Sequence, residues 1–155
     1  MKSEYKITDT YDRMLEDLIT DEPSLAMIRN YAINIAIIES EKAKTSKGKK
    51  VIASLERVPD LYRELTYKDY VVTIYRPCLT GLSNEQIQIA IFEQLLKIDV
   101  GLTPDGNDVD SLAIRAYDYE GFKEIVDRYG TDWAEPWSRQ LTMYDMTGAE
   151  EVADE

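Results

Sequence analysis

The apolar positions along the chain follow two rhythms. Tyr11, Met14, Leu15, Leu18 and Ile19 recur three and four residues apart, which predicts a helix that Asp21 to Pro23 bring to an end. Tyr31 to Ile38 changes period, with Ile33, Ile35 and Ile37 alternating with smaller residues. That alternation and the β-branching favour a strand, with a helix as the competing reading. Val51 to Val58 predicts a second strand, and Tyr70 to Tyr75 a third, closed by Pro77. Ser83 then opens the clearest helix, because Ser83 and Gln86 stand at the spacing of a capping box. Ile87, Ile91, Leu95 and Ile98 give this helix one apolar face, which Ala90, Phe92 and Leu96 widen, so most of it should be buried. Asp99 to Asp110, with Pro104, Gly106 and Asn107, predicts a polar loop, and Leu112 to Tyr117 a short extended segment. Glu120 to Tyr129 predicts a last helix with Phe122, Ile125 and Val126 inward and Gly130 as its stop. The pattern is α+β, a small mixed or antiparallel sheet packed on a long central helix.

Composition narrows the chemistry. The 155 residues suit one domain, and 44% hydrophobic residues suffice for a core. The expected division is one domain over 1–145 and an acidic tail, unpacked, over 146–155. The chain has no histidine and a single cysteine, Cys78. Ser-His-Asp and Cys-His catalysis therefore lack their proton carrier, and zinc sites built on His or several Cys lack their ligands. Carboxylate sites for hard cations stay chemically open. One of them fails on inspection. Asp105, Asn107 and Asp110 resemble part of a calcium loop, but Asp110 stands where the turn needs Gly and no Glu closes the loop. No long apolar run and no signal-peptide core occur, and one Cys agrees with a reducing compartment, so a cytoplasmic location without membrane insertion is expected.

Charge changes the picture further, because the net −12 is uneven. Residues 1–98 carry 15 acids and 14 bases, whereas residues 99–155 carry 15 acids and 4 bases. The first part has its own basic run, Lys42, Lys44, Lys47, Lys49 and Lys50 around Gly48, which reads as a solvated loop between two strands. The second part interleaves acids with aromatics: Asp118, Tyr119, Glu120, Asp127, Asp132, Trp133, Glu135 and Trp137. A bland reading is a solvated helix face. The functional reading is a negative surface that docks on a basic protein, with Tyr and Trp as anchors. Direct nucleic-acid binding is not expected, since phosphate contacts come from Lys and Arg.

Several stretches carry a resemblance. Gly48-Lys-Lys-Val-Ile-Ala-Ser-Leu-Glu-Arg-Val58, Tyr67 to Tyr75, Leu82 to Ile87 and Phe92-Glu-Gln-Leu-Leu-Lys-Ile98 resemble the phage and prophage metallopeptidases with a zincin-like fold. Tyr117-Asp-Tyr-Glu-Gly-Phe122 and Asp127 to Trp133 resemble that family's closing segment, so the likeness spans about residues 11–133. It implies a zinc site with H-E-x-x-H on the central helix, two His as ligands and Glu as the base, and a third His before an Asp. On this chain the first His position holds Glu93, the Glu position Gln94, the second His position Lys97 and the third Tyr117. Gln94 is uncharged and cannot act as a general base, and Lys97 is a cation where a cation should bind. These four are degenerate metal-site positions, in which Glu93 and Lys97 can form an i,i+4 ion pair with Tyr117 as a third partner.

The resemblance therefore implies a pseudoenzyme without cofactor. The expected function is binding and inhibition of a host defence protein in the host cytoplasm, in the manner of an anti-CRISPR that blocks a nuclease's basic nucleic-acid surface. The alternatives are a residual metal-dependent hydrolase using carboxylates such as Glu93, Asp99 and Asp118, and a phage structural or accessory protein.

Overall fold

The computed structural model describes residues 4–116, 123–130 and 133. The elements are β1 (Tyr5–Ile7), α1 (Asp12–Asp21), a 3-10 turn (Pro23–Leu25), α2 (Ala26–Asn30), β2 (Ile35–Ser40), β3 (Thr45–Ser46), β4 (Lys49–Lys50), β5 (Ala53–Arg57), α3 (Asp60–Thr66), β6 (Tyr70–Tyr75), a 3-10 turn (Arg76–Leu79), α4 (Asn84–Leu95), β7 (Ile98–Leu102), β8 (Val109–Ile114) and α5 (Lys123–Tyr129). The architecture is α+β, and the main sheet is mixed.

Its four strands run in the order β1-β2-β6-β5. β2 and β6 pair in parallel with Ile35 opposite Tyr70 and Ile37 opposite Val72, while β1 and β5 flank them antiparallel. The expected strands are therefore present, the first starting at Ile35 because Ala32 takes a left-handed conformation that breaks the chain direction. β6 lies at the centre, and Tyr70, Val72 and Ile74 are completely buried. Twelve-residue α4 packs its Ile87, Ile89, Ala90, Ile91, Phe92, Leu95 and following Leu96 into the same core. The capping box forms as expected: Gln86 N–H donates to Ser83 Oγ at 3.2 Å and Ser83 N–H to Gln86 Oε1 at 2.8 Å.

Two expectations need correction. The central helix does not continue to Ile98. It stops at Leu95, and Leu96 N–H and Lys97 N–H close the last turn onto Phe92 and Gln94. Nor is 99–110 a loop throughout: only 103–108 form the turn, and β7 and β8 on either side make an antiparallel hairpin that pairs Val100 with Leu112. Val100 and Leu112 are both buried, whereas Asp99 and the turn acids are exposed and give the segment its loop-like composition. The acidic tip is satisfied by its own turn. Asp105 accepts from the Thr103 hydroxyl at 2.5 Å and from Asn107 N–H at 3.0 Å, and the Thr103 bond, followed by that amide, holds its carboxyl below the usual range.

The hairpin docks on the main sheet through polar bolts. Tyr70 on β6 donates its hydroxyl to the Ala113 carbonyl at 2.7 Å and Arg57 on β5 donates to the Leu112 carbonyl at 3.4 Å, while Arg115 ties the hairpin to the end of α4 by donating to the carbonyls of Leu96 and Lys97. The basic run is a small hairpin, with β3 and β4 joined through Lys47 and Gly48, both at positive φ as a two-residue turn of this hand requires. Lys42 pairs there with Glu4 at 2.8 Å, and Lys44 lies over the Tyr75 ring at 5.5 Å. No helix among the described residues is long and apolar enough to cross a membrane.

Candidate functional site

α4 carries Glu93 and Gln94 on its last turn, at the point where it crosses the start of β5. A cleft of about 160 Å³ opens between them, lined by Lys50, Val51, Ile52, Ala53, Ala90, Glu93, Gln94 and Trp133. Two separate expectations thus meet in one place, because Trp133, expected as a surface anchor, is half-buried here beside Glu93 and Gln94, two of the positions expected to form a degenerate metal site. Gln86 fixes that wall: its Nε2 donates to the Trp133 carbonyl at 2.9 Å. Sequence spacing could not reveal the contribution of Lys50 to Ala53, since these residues reach α4 only through the sheet.

The polar groups around the cleft differ in how they are satisfied. Gln86 and Gln94 are both buried on α4. Gln86 closes the cap and holds Trp133, whereas Gln94, only 3% exposed, has a buried Oε1 without a hydrogen-bond partner among the described residues. An unpaired buried amide oxygen costs about 1–3 kcal/mol. Gln94→Leu, of similar volume, should therefore raise stability by roughly that amount, whereas Gln86→Leu should lower it by breaking the cap and the Trp133 bond. Urea denaturation of both variants checks the pair of signs.

Glu93 is half-buried, and Lys97 sits just beyond the helix, where α4 turns into β7. The charges sense each other. Burial pushes the Lys97 ammonium below its usual range, the Glu93 carboxylate opposes that shift, and the Lys44 ammonium adds to it. Asp99 is exposed on β7 and Asp127 on α5. Tyr117, Asp118, Tyr119, Glu120, Asp132, Glu135, Trp137 and the tail over 146–155 lie outside the described residues.

A zinc site at the expected metal-site positions would have to be built from the donors that they carry. At the described positions stand a carboxylate, a neutral carboxamide and an ammonium, with no imidazole or thiolate among them. A charged ammonium cannot ligate, and a carboxamide cannot take a proton from bound water. Among the described residues no three His, Cys, Asp or Glu side chains gather in a group able to hold a metal. These residues do not fit a catalytic zinc.

A family model described as "Putative phage metallopeptidase" matches residues 3–145, nearly the whole chain. The chain belongs to that phage metallopeptidase family. No curated protein sequence and no solved structure matches it. The cleft at the end of α4, with Gln94 and Trp133 among its lining residues, is the candidate functional site of this chain.

Proposed function

We propose that this chain is a non-catalytic member of the phage metallopeptidase family, a pseudoenzyme that acts by binding a host protein. The observation that carries the reading is Gln94, a buried amide at the position where the resemblance implies the hydrolytic base, with the Lys97 cation at an implied ligand position. Charge supports binding as the replacement activity. Residues 99–155 concentrate 15 acids against 4 bases, and a surface of one sign speeds encounter with an oppositely charged partner. The partner of this reading is a basic, nucleic-acid-binding host defence protein in the cytoplasm. The specific version is an anti-CRISPR-like inhibitor that covers a nuclease's nucleic-acid channel.

Affinity capture from the host, followed by titration of the purified pair, tests this. The captured protein should lose nucleic-acid binding in the complex. Affinity should fall by at least about tenfold between low and high salt. Asp118→Asn, Glu120→Gln, Asp127→Asn, Asp132→Asn and Glu135→Gln combined should weaken it comparably. Salt-independent binding that survives all five substitutions contradicts the proposal.

A further inference from the structure

Helix α3 turns its apolar side chains outward. It joins β5 to β6, and none of its residues is buried. Leu61 and Leu65, one turn apart, are each 69% exposed, Tyr62 beside them is 54% exposed, and Tyr67 at the left-handed C-cap is 77% exposed. Its side-chain tether to the sheet is polar. Arg63 pairs with Asp69 at 3.0 Å, and Asp69 also accepts from Asn34 N–H at 2.9 Å at the entrance to β2. A seven-residue helix is too short to be stable on local propensity, and helices in proteins depend on burial of an apolar face. Here that face has no cover within the described residues.

We infer that α3 is a self-association surface and that its occupant is α3 of a second copy of this chain. Two observations select a second copy over a basic partner. Between Arg57 and Asp69 the charges are Arg57, Arg63 and Lys68 against Asp60, Glu64 and Asp69, a balance of zero in a chain of net −12. The face therefore offers a basic partner no attraction and spares a second copy the repulsion that the acidic end would impose. The second observation is area. At these exposures the four side chains present at most about 500 Å² of surface, so a two-fold pairing that covered all of it would bury about 1,000 Å² in total, the threshold a specific interface has to clear. In such a pairing the same patch serves both copies, with Leu61 and Leu65 meeting their equivalents across the axis.

Sedimentation velocity on the full chain at about 10 and about 100 µM reads this directly. The weight-average mass should rise toward twice the monomer value over that range. Leu61→Glu with Leu65→Glu should hold the chain monomeric at both concentrations while the circular dichroism spectrum stays unchanged. Should that double variant lose helicity, Tyr62→Glu alone decides, with dimerisation expected to weaken at least about tenfold. Ile7→Glu, on β1 at the opposite edge of the sheet, should dimerise like the wild type. The inference is overturned by a wild type that is monomeric at about 100 µM, by dimers that ignore the α3 substitutions, or by loss of the dimer in Ile7→Glu. Capture of a different protein through Leu61 and Leu65 by a monomeric chain overturns it as well.

Discussion

Glu93→His, Gln94→Glu, Lys97→His and Tyr117→His, introduced together, are expected to turn this chain into one that binds a single zinc ion. Affinity should exceed that of the wild type by at least about 100-fold. The expectation follows from the family membership and from the placement of Glu93 and Gln94 on the last turn of α4, beside a cleft that the β5 segment and Trp133 complete. Three imidazoles supply neutral nitrogen donors where the present set offers a carboxylate, an ammonium and a phenol. The same change removes the Lys97 charge, whose half-buried position already disfavours it. A variant with the three His but with Gln94 retained should bind zinc and fail to hydrolyse peptides, because a base is needed to deprotonate bound water. Isothermal titration with zinc, on chains freed of any purification tag, separates these outcomes. A folded fourfold variant as indifferent to zinc as the wild type would show that the four positions are not the family's metal positions.

Phe92→Ala should cost about 3–5 kcal/mol of folding stability, a large share of what a domain of this size has. Phe92 is 1% exposed at the centre of α4, with the Arg128 guanidinium 5.5 Å above its ring. Arg128 in turn binds Glu22 at 2.9 Å, after the end of α1, and Glu124 at 3.3 Å on α5. The substitution therefore leaves a cavity in the core and removes a cation–π contact that ties α5 to the rest of the fold. Ile91→Val on the same helix deletes one methyl and should cost about 0.5–1.5 kcal/mol. Chemical denaturation with an unchanged slope measures both, and a Phe92→Ala loss no larger than that of Ile91→Val would contradict the packing described.

Where burial writes its pattern into the chain, the fold was legible. The helical spacing of Tyr11 to Ile19, the six-residue strand Tyr70–Tyr75 and the Ser83/Gln86 capping box each correspond to an element with matching chemistry. The hairpin of β7 and β8 is hard to read from sequence because only Val100 and Leu112 of its paired residues are buried, and the acids around them look like a loop. Ile98 sits in helical register with Leu95, and periodicity alone carried the helix past its true end. α3 escaped notice for the opposite reason, since its leucines and tyrosines face outward and no inward stripe marks it. The site divided along the same line. Glu93, Gln94 and Lys97 are local in sequence and could be named, while the meeting of Gln94 with Trp133 and Lys50 to Ala53 depends on how α4 crosses β5. That Gln94 Oε1 finds no partner among the described residues is likewise a property of its surroundings, which no spacing encodes.

The claim that this chain works without a metal is tested most directly by elemental analysis of wild-type protein purified without a tag, alongside Glu93→Ala. The account predicts less than stoichiometric zinc, magnesium, manganese and calcium in the wild type, with no change in Glu93→Ala. One equivalent of a metal ion per chain, lost in Glu93→Ala, would contradict it and assign the cleft to a carboxylate-built metalloenzyme.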